Sequence, residues 1–468
     1  MAYEYDVCVI GLGPAGMAAS ITATHMGLRV LGIDSRGVGG ECTRTGCIPS
    51  KALLRMAHVR HAVAQLSGLA PTETPQPAPT DPFRRIAERV RLIAEEKMKP
   101  LLDGVELRLR EGPAAFVDPH TLEVGGKRYT AKRIFLCVGT RPALPSIPGL
   151  READALTSDN VLSLDRIPSS LVVIGGGAIG CEMAQAFHRL GSRVSLVHMD
   201  EHLLPHGDAE AGRLLQKAFA REGIEVQGGR RISEVTTSAG GIAVRTNLGD
   251  TLRGERMFVA TGRGFDFSDL HLGNAGVESS DRGIHVDATL RTTARHIYAP
   301  GDANGACFLS NAASHQGMIA AMNSVLPAPF RRNFRSYVVP WATFTEPEIA
   351  HVGWLERDLK AHDMAYETFE SKYEDYGPAI AEDAAEGSVR VYASSSGRIY
   401  GVRIVGRGAT EMINEWGLAI QSHLRLDRIL FLQHSYPSMS FLSKRAADGW
   451  GLERLRNPLV RRFVKLVR

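Results

Sequence analysis

The sequence has few cysteines, little net charge and no long apolar run. Six cysteines in 468 residues are too few for the disulfide framework of a small secreted domain. Lysine and arginine total 55 against 51 aspartates and glutamates, and a net charge of +4 is too small for a dedicated nucleic-acid-binding protein. No apolar stretch approaches the ~20 residues of a membrane span. The acidic start at residues 1–6 is unlike a secretory signal, so a cytoplasmic location is expected.

The composition itself is that of an ordinary globular protein. Hydrophobic residues make up 44% of the chain and charged residues 23%, which excludes disorder for most of it. At roughly 100–200 residues per domain, the length predicts about three or four domains. A proline-rich segment at 70–82 is expected to be an exposed extended loop.

A predicted strand at 7–10 leads into the glycines of a GxGxxG pattern, Gly11, Gly13 and Gly16. In a β-α-β unit these glycines allow a tight turn, close approach to a pyrophosphate and close packing of helix on strand. The next strand ends at Asp34, whose carboxylate is placed to accept hydrogen bonds from a ribose. The unit therefore predicts a site for an adenine dinucleotide.

The same pattern returns in the middle of the chain. A predicted strand at 171–174 leads into Gly175, Gly177 and Gly180, and the strand after the helix ends at His198. Two such units, each in the required context of strand, turn, helix and strand, predict two dinucleotide-binding folds. An acid at the strand end would favour NAD and an arginine would favour NADP, and His198 is neither. The residues leave the coenzyme of this unit open.

The most informative segment contains two cysteines, Cys42 and Cys47. In a regular helix they would lie about 7.5 Å apart along the axis, so a disulfide requires an irregular turn, which Gly46 makes accessible. Cys47 is expected near a helix N-terminus with Lys51 one turn further on, and both features lower a thiol pKa. No second cluster of metal-ligating residues accompanies the pair, which disfavours a zinc site. A redox pair and two buried structural cysteines are the remaining alternatives.

The pattern of the sequence changes from residue 335 onward. Short β-like runs and amphipathic helices suggest a separate C-terminal domain. The stretch 454–468 mixes apolar residues with arginine and lysine. Its two interpretations are a membrane-surface helix and a solvated helix that packs on its own domain, and the second is preferred.

Together these motifs resemble the class I pyridine nucleotide–disulfide oxidoreductases, which include dihydrolipoamide dehydrogenase, glutathione reductase and mercuric reductase. The first glycine pattern resembles the family's FAD-binding motif, and residues 39–51 match its redox signature GGxCxxxGCxPSK. The second pattern resembles its NAD(P) site, with Glu182 at the acidic position of GxIGxE. Residues 344–350 resemble the opening of its dimerisation domain.

The resemblance implies an α/β fold with two Rossmann-like dinucleotide-binding domains, for FAD and NAD(P), and a C-terminal α+β dimerisation domain. The expected boundaries are 1–149 for the FAD-binding domain, 150–270 for the NAD(P)-binding domain, 271–334 for the return to the FAD-binding domain, and 335–468 for the dimerisation domain. It also implies a homodimer whose active site is completed by the C-terminal domain of the partner subunit. The cofactors would be FAD and either NADH or NADPH.

The resemblance also implies roles for single residues. Reduced FAD would open a disulfide between Cys42 and Cys47, leaving Cys47 as the thiolate that faces the flavin and Cys42 as the thiol that exchanges with substrate. Lys51 and Glu182 would pair near the flavin, although Glu182 has an alternative as an ordinary helix-surface acid. The implied cofactor-binding residues are Gly11, Gly13, Gly16, Asp34, Gly40, Lys51, Ala114, Gly139, Gly175, Gly177, Ile179, Gly180, His198, Gly262 and Asp302.

One part of the family pattern is missing near the C-terminus. Disulfide-reducing members carry His-x-His-Pro-Thr and a later glutamate, and this His–Glu pair acts as acid and base for the partner's dithiol. Anchored on Pro437, the present sequence has Tyr436 in place of the base and Phe441 in place of the glutamate. A phenol, with a pKa of about 10, is a poor base at pH 7. His434 lies two residues too early in this register, so it could act as the base only if the loop were shifted. Mercuric reductases also have tyrosine here, but they use a C-terminal cysteine pair, and the last cysteine of this chain is Cys307.

Three functions are therefore expected. The leading one is an FAD-dependent NAD(P)H oxidoreductase that uses Cys42 and Cys47 to reduce an acceptor with little demand for proton transfer, such as a low-pKa disulfide, a metal ion or a quinone. The second is a dihydrolipoamide dehydrogenase acting on an unusual lipoyl protein. The third is a flavoprotein that has lost turnover and serves as a binding component, tethered through its basic tail.

Overall fold

A computed structural model describes residues 3–65, 81–238 and 240–467, so nearly all of the predicted proline-rich loop lies outside the described residues. The α-helices are α1 (Pro14–His25), α2 (Gly40–Arg44), α3 (Cys47–Gln65), α4 (Pro82–Leu92), α5 (Ala178–Arg189), α6 (Ala209–Glu222), α7 (Ser310–Val325), α8 (Glu356–Ala361), α9 (Gly377–Ala381), α10 (Ala409–Gln421), α11 (Leu426–Leu430), α12 (Phe441–Leu455) and α13 (Pro458–Val467). The strands are β1 (Tyr5–Ile10), β2 (Val30–Asp34), β3 (Val105–Leu109), β4 (Ala115–Asp118), β5 (Thr121–Val124), β6 (Lys127–Leu136), β7 (Arg141–Pro142), β8 (Ser170–Ile174), β9 (Arg193–Val197), β10 (Glu225–Gln227), β11 (Ile232–Ser238), β12 (Gly241–Thr246), β13 (Thr251–Gly254), β14 (Arg256–Val259), β15 (Arg263–Gly264), β16 (Ser279–Ser280), β17 (Gly283–Ile284), β18 (Ile297–Tyr298), β19 (Trp341–Thr343), β20 (Ile349–Gly353), β21 (Glu367–Lys372), β22 (Ser388–Ala393) and β23 (Ile399–Val405).

The first glycine-rich unit lies at the centre of a parallel sheet. Its strands run in the order β3-β2-β1-β6, strand β18 joins β6 in parallel, and the β4–β5 hairpin extends the sheet from β6. Residues 7–10 of β1 are all buried, as expected for a parallel strand covered on both faces. Helix α7, which follows β18 in the chain, packs against α1. The return of the chain to this sheet near residue 297 therefore completes the first unit.

The second glycine-rich unit forms its own parallel sheet, in the order β10-β9-β8-β14. A three-stranded antiparallel sheet, β11-β12-β13, packs beside it. In both units the glycine-rich turn follows the carboxyl end of the central strand, where ligands bind in open α/β sheets. The predicted α/β class with two Rossmann-like units is confirmed.

The C-terminal unit is built on an antiparallel sheet in the order β19-β20-β23-β22-β21. Helices α10 and α12 pack against this sheet, and Trp416 on α10 is completely buried in the shared core. This arrangement is the α+β unit predicted for the C-terminal part of the chain. The boundaries at 149, 270 and 334 stay predictions.

Two ion pairs that share Arg189 tie the second unit to the C-terminal unit. The Arg189 side chain is only 2% exposed and lies 2.7 Å from Glu222, whose side chain is 13% exposed. The same guanidinium also pairs with Glu346, in the loop before β20. These ionic hydrogen bonds raise the pKa of Arg189 against the opposing effect of burial. The pairing fixes helix α5 relative to the loop that reaches the candidate active site.

Candidate active site

One large cavity is walled by both glycine-rich units and by part of the C-terminal unit. Its volume is about 2010 Å³, against roughly 300–1,000 Å³ for a typical small-ligand pocket. Most predicted site residues line it: Gly11, Gly13, Asp34, Gly40, Cys42, Cys47, Lys51, Ala114, Gly139, Gly175, Gly177, Ile179, Glu182, His198, Gly262 and Asp302. A cavity of this size has room for two dinucleotides.

Gly16 and Gly180 are not among the described residues that line the cavity, and they serve close packing instead. A Cβ atom on Gly16 would lie 1.8 Å from the carbonyl oxygen of Gly11, and one on Gly180 would lie 2.0 Å from that of Gly175. Each helix can therefore press against its own glycine-rich turn. The N-termini of α1 and α5 then face the cavity, where free backbone N–H groups and the helix dipole attract phosphate.

The carboxylate of Asp34 closes the turn of the first unit. Its Oδ2 accepts a hydrogen bond from the backbone N–H of Leu12 at 2.7 Å, and its Oδ1 accepts from Arg36 at 2.7 Å and Gly37 at 2.8 Å. Two carboxylate oxygens offer about four acceptor positions, so capacity remains after three backbone donors. Asp34 can therefore fix the turn and still accept hydrogen bonds from the hydroxyl groups of a ligand.

His198 takes the corresponding place in the second unit, but it is only 3% exposed. Neither ring nitrogen has a hydrogen-bond partner among the described residues. Burial lowers the pKa of His198, so the imidazole is neutral at pH 7. Asp200 and Arg230 line the same cavity, so an acid and a base accompany the neutral ring. This combination favours neither NADH nor NADPH.

Cys42 and Cys47 lie on two helices that meet at an irregular turn. Cys42 belongs to α2, Cys47 is the first residue of α3, and Gly46 lies in the break between them. All six cysteines, which fall within the described residues, are free thiols, so the pair is in its reduced form. The Cys42 and Cys47 side chains hydrogen bond to each other. The break therefore brings together two sulfurs that a continuous helix would hold apart.

The pKa values of the two thiols move in opposite directions. The hydrogen bond with Cys42 lowers the pKa of Cys47 to about 6, with smaller contributions from Ser310 and the charge of Lys51 and with burial opposing them. The Ser310 hydroxyl oxygen lies 3.2 Å from the Cys47 sulfur. The same hydrogen bond, together with burial, raises the pKa of Cys42. At pH 7 the reduced pair carries a thiolate at Cys47 and a thiol at Cys42.

The Lys51 ammonium group is held by two residues from other parts of the chain. Its Nζ lies 2.7 Å from Oε2 of Glu182 and 4.3 Å from the centre of the Phe344 ring. The Glu182 side chain is 5% exposed, which excludes the alternative of a helix-surface acid. The backbone N–H of Phe344 donates to the other Glu182 oxygen at 3.1 Å. A cation fixed in this way can stabilise negative charge that develops on a ring bound in the cavity.

Helix α5 fixes the segment that carries Phe344. Gln185 forms two 2.8 Å hydrogen bonds with the backbone of Glu346, donating to its carbonyl oxygen and accepting from its N–H. Arg189 pairs with the Glu346 carboxylate. Glu182, Gln185 and Arg189 lie on one face of α5, three and four positions apart. One helix face therefore sets the position of both groups that hold Lys51.

A second charged cluster lies beside Cys42. Arg263 binds both carboxylate oxygens of Glu41, with its Nη1 donating at 2.8 Å. The Nε of Arg263 lies 4.0 Å from Asp302. Burial raises the pKa of Asp302 to about 6, against the lowering effect of Arg263. The cluster ties helix α2, which carries Glu41, to strand β15, which begins at Arg263.

His434 and Tyr436 are not among the described residues that line the cavity of their own chain. Tyr436 is 68% exposed, and its ring packs edge-on against Phe441 and Tyr376. The His434 side chain is 5% exposed, and its Nε2 lies 2.9 Å from Oε1 of Glu415 on α10. The chain therefore has a histidine–glutamate pair, but not at the two positions of the family pattern.

Two family models match this chain. The pyridine nucleotide-disulphide oxidoreductase model matches residues 5–319, and the dimerisation-domain model of the same family matches residues 339–446. The chain belongs to the pyridine nucleotide-disulphide oxidoreductase family.

Two curated relatives and one solved structure resemble this member of the family. Dihydrolipoyl dehydrogenase of Chlamydia pneumoniae is 31% identical over 452 residues, which cover 94% of this chain and 95% of that protein. Mercuric reductase of Bacillus cereus is 32% identical over 446 residues, which cover 94% of this chain and 70% of that protein. The crystal structure of LpdA from Mycobacterium tuberculosis has a TM-score of 0.85 and 26% identity, and the match covers 94% of this chain and 99% of that chain.

Members of the pyridine nucleotide-disulphide oxidoreductase family use FAD and NAD(P)H, so the predictions of an FAD-dependent oxidoreductase and of its cofactors are confirmed. The cavity fits both groups, because each glycine-rich turn presents a helix N-terminus to it. Asp34 lines the same cavity at the end of β2. The individual residue roles stay predictions.

The match at residues 339–446 identifies the family's dimerisation domain, which is typical of homodimers. The contribution of the partner subunit to the active site stays a prediction. Within residues 3–65, 81–238 and 240–467, no three His, Cys, Asp or Glu side chains cluster in a way that could hold a metal ion. Nor does any described helix combine the length and hydrophobicity of a bilayer span.

Among the residues of these sites that were not predicted from the sequence are Glu41, Ser310, Phe344 and Glu415. Glu41 and Phe344 lie inside segments that carry the family resemblance, residues 39–51 and 344–350, so the sequence offered a reason to consider them as site residues. Ser310 and Glu415 had no such signal, because each is far in sequence from its partner or outside any motif. Only the folded chain brings them to Cys47 and His434.

Proposed function

We propose that this protein is an FAD-dependent NAD(P)H oxidoreductase that passes electrons through Cys42 and Cys47 to an acceptor with little demand for proton transfer. A single observation carries the proposal. A cysteine with a pKa of about 6 lies in the same cavity as both dinucleotide-binding turns and the Lys51–Glu182 pair. Bound FAD would supply the two-electron relay between nicotinamide and sulfur.

The cysteine pair receives the electrons and holds them until the acceptor arrives. Two electrons and one proton convert a Cys42–Cys47 disulfide into a Cys42 thiol and a Cys47 thiolate. Ser310 donates a hydrogen bond to that thiolate, and Lys51 adds a favourable charge. Because the pKa of Cys42 is raised, Cys42 keeps its proton until a base or the acceptor removes it.

The substitution at the C-terminal loop sets the class of acceptor. Reduction of an ordinary disulfide releases a basic thiolate that an imidazole would protonate, and Tyr436 replaces that imidazole in the family pattern. A disulfide whose thiols have low pKa values releases a stable thiolate that needs no proton. A metal ion takes up electrons without protons, and a quinone takes its protons from water. The likeness to mercuric reductases fits a metal-ion acceptor.

The first experiment is an acceptor screen on the anaerobic enzyme. Reduction with NADH or NADPH should expose two thiols per chain to a thiol reagent. An aromatic low-pKa disulfide, a thiophilic metal ion or a benzoquinone should then reoxidise the enzyme at least about 10²-fold faster than lipoamide or glutathione disulfide, the range that acid–base catalysis supplies. Reoxidation of equal speed by all five acceptors would contradict the proposal.

The second candidate function is dihydrolipoamide oxidation, which the His434–Glu415 pair favours. A histidine held 2.9 Å from a glutamate has the chemistry of the family's acid–base pair, and dihydrolipoyl dehydrogenases are among the relatives. In a steady-state assay with dihydrolipoamide and NAD, turnover by the wild type that is lost in His434→Ala would favour this candidate. Turnover that is absent in the wild type and gained in Tyr436→His would exclude it.

The low pKa of Cys47 gives a pH-dependent reactivity. In the reduced enzyme, alkylation by iodoacetamide should speed up with a midpoint near pH 6, since only the thiolate reacts. Ser310→Ala removes one hydrogen bond to the thiolate and should raise this midpoint by about one pH unit. Ser310→Thr keeps a hydroxyl and should restore the lower midpoint. An unchanged midpoint in Ser310→Ala would show that the hydroxyl does not act on Cys47.

A further inference from the structure

The segment Pro458–Val467 forms a helix, α13, with two chemically opposite faces. At 100° per residue, Arg461, Arg462 and Lys465 fall on one face. The opposite face carries Val460, Val464 and Val467. No acidic residue lies between Pro458 and Val467, so the positive charge of this helix is not balanced within it.

The apolar face of α13 is open to solvent. On this face Val464 is 52% exposed and Val467 is 72% exposed, and Leu466, at the side of the helix, is 77% exposed. The helix before it, α12, adds Leu452 and Leu455, which are 57% and 61% exposed. A helix packed on its own domain would bury such residues, so the preferred interpretation of this segment as a solvated, packed helix does not account for them.

The charge of α13 and its position in the chain indicate which kind of surface covers it. The dimerisation-domain match ends at residue 446, before α13 begins, so the helix lies outside the segment that the family shares for dimerisation. A cationic face opposite an apolar face is the pattern of a helix that lies in a membrane interface, where the apolar side enters the acyl region and the cations meet lipid phosphates. Arg456, just before α13, adds a further cation.

We propose that α13 docks this protein onto the anionic surface of a phospholipid bilayer. The valine face inserts at the level of the headgroups, and Arg461, Arg462 and Lys465 contact anionic lipids. The docking is reversible, because a helix of this length lies on the membrane and does not cross it. This inference is independent of the electron acceptor.

The test is sedimentation of the full-length holoenzyme with lipid vesicles. The protein should pellet with vesicles that contain phosphatidylserine and stay in solution with pure phosphatidylcholine. Binding should weaken as salt shortens the Debye length from ~8 Å to ~3 Å. Each basic residue near an anionic surface contributes about fivefold in affinity, so the triple variant R461E/R462E/K465E should bind at least about 100-fold more weakly.

A matched control reverses three cations elsewhere. Lys127, Arg151 and Arg253 are exposed and lie away from the cavity, so K127E/R151E/R253E changes the net charge equally but should keep more of the binding than the α13 variant. The apolar variant V464D/V467D should also lose binding although it keeps all the cations. Equal vesicle binding by the wild type and the α13 variants would overturn the proposal. So would a change of V464D/V467D from dimer to monomer in sedimentation velocity, which would make α13 a contact between two copies of the chain.

Discussion

Replacing Cys47 with serine should lower electron transfer to every acceptor by at least about 10³-fold. A serine hydroxyl at this position can neither form a disulfide with Cys42 nor ionise at pH 7. Reduction of the bound FAD by NAD(P)H should persist, because it precedes the sulfur step. The two measurements are steady-state turnover with each acceptor and anaerobic absorbance of the flavin after one equivalent of NADH or NADPH.

The control for this variant is Cys307→Ser. Cys307 is partly exposed, and burial of its sulfur raises its pKa to about 11, so it remains a thiol at pH 7. Its replacement should leave turnover within about twofold of the wild type. Full turnover by Cys47→Ser would mean that electrons leave the flavin without passing through the cysteines, and the proposed route would then be wrong.

Replacing Arg189 with methionine should destabilise the protein by about 3–5 kcal/mol. The substitution leaves Glu222, whose side chain is 13% exposed, without its cation in a site that excludes most water. It also frees the loop at Glu346 that helps to hold Phe344 against Lys51. The measurement is the urea concentration at the midpoint of unfolding, monitored by fluorescence and circular dichroism. The slope of the unfolding free energy against urea concentration should be unchanged.

Arg193 provides the matched control, since it lies at the exposed start of β9. Arg193→Met should change stability by no more than about 0.5 kcal/mol. The double variant R189M/E222Q should recover part of the loss, because it removes the unpaired charge together with its partner. An unchanged unfolding midpoint in Arg189→Met would mean that the buried pair contributes no net stability.

The main parts of the site were predictable because their chemistry is local in sequence. The first turn places Gly11, Gly13 and Gly16 within six residues, and the redox segment places Cys42, Cys47 and Lys51 within ten. A tight turn or a helix start needs only neighbouring residues, so spacing and residue type are enough to predict it.

The C-terminal loop contains a contact that the spacing of residues does not predict. The sequence pattern puts Tyr436 and Phe441 at the two positions of the family's acid–base pair, which stays a prediction, and it gives no partner for His434. In the folded chain that partner is Glu415, on a preceding helix. Nothing in the spacing of the two residues distinguishes this contact from many others, because their proximity depends on how α10 and the loop pack together.

The α/β architecture, the two dinucleotide-binding units and the cysteine pair could be predicted from the sequence, because each depends on residues that are close along the chain. The folded chain alone shows that Ser310 reaches the Cys47 sulfur and that both glycine-rich turns open into one cavity, whereas the family resemblance already implied the pairing of Lys51 with Glu182. Ser310 and Cys47 are 263 positions apart. Such contacts come from the packing of α3 against α5 and of α7 beside the first sheet, and a linear order of residues does not encode those distances directly.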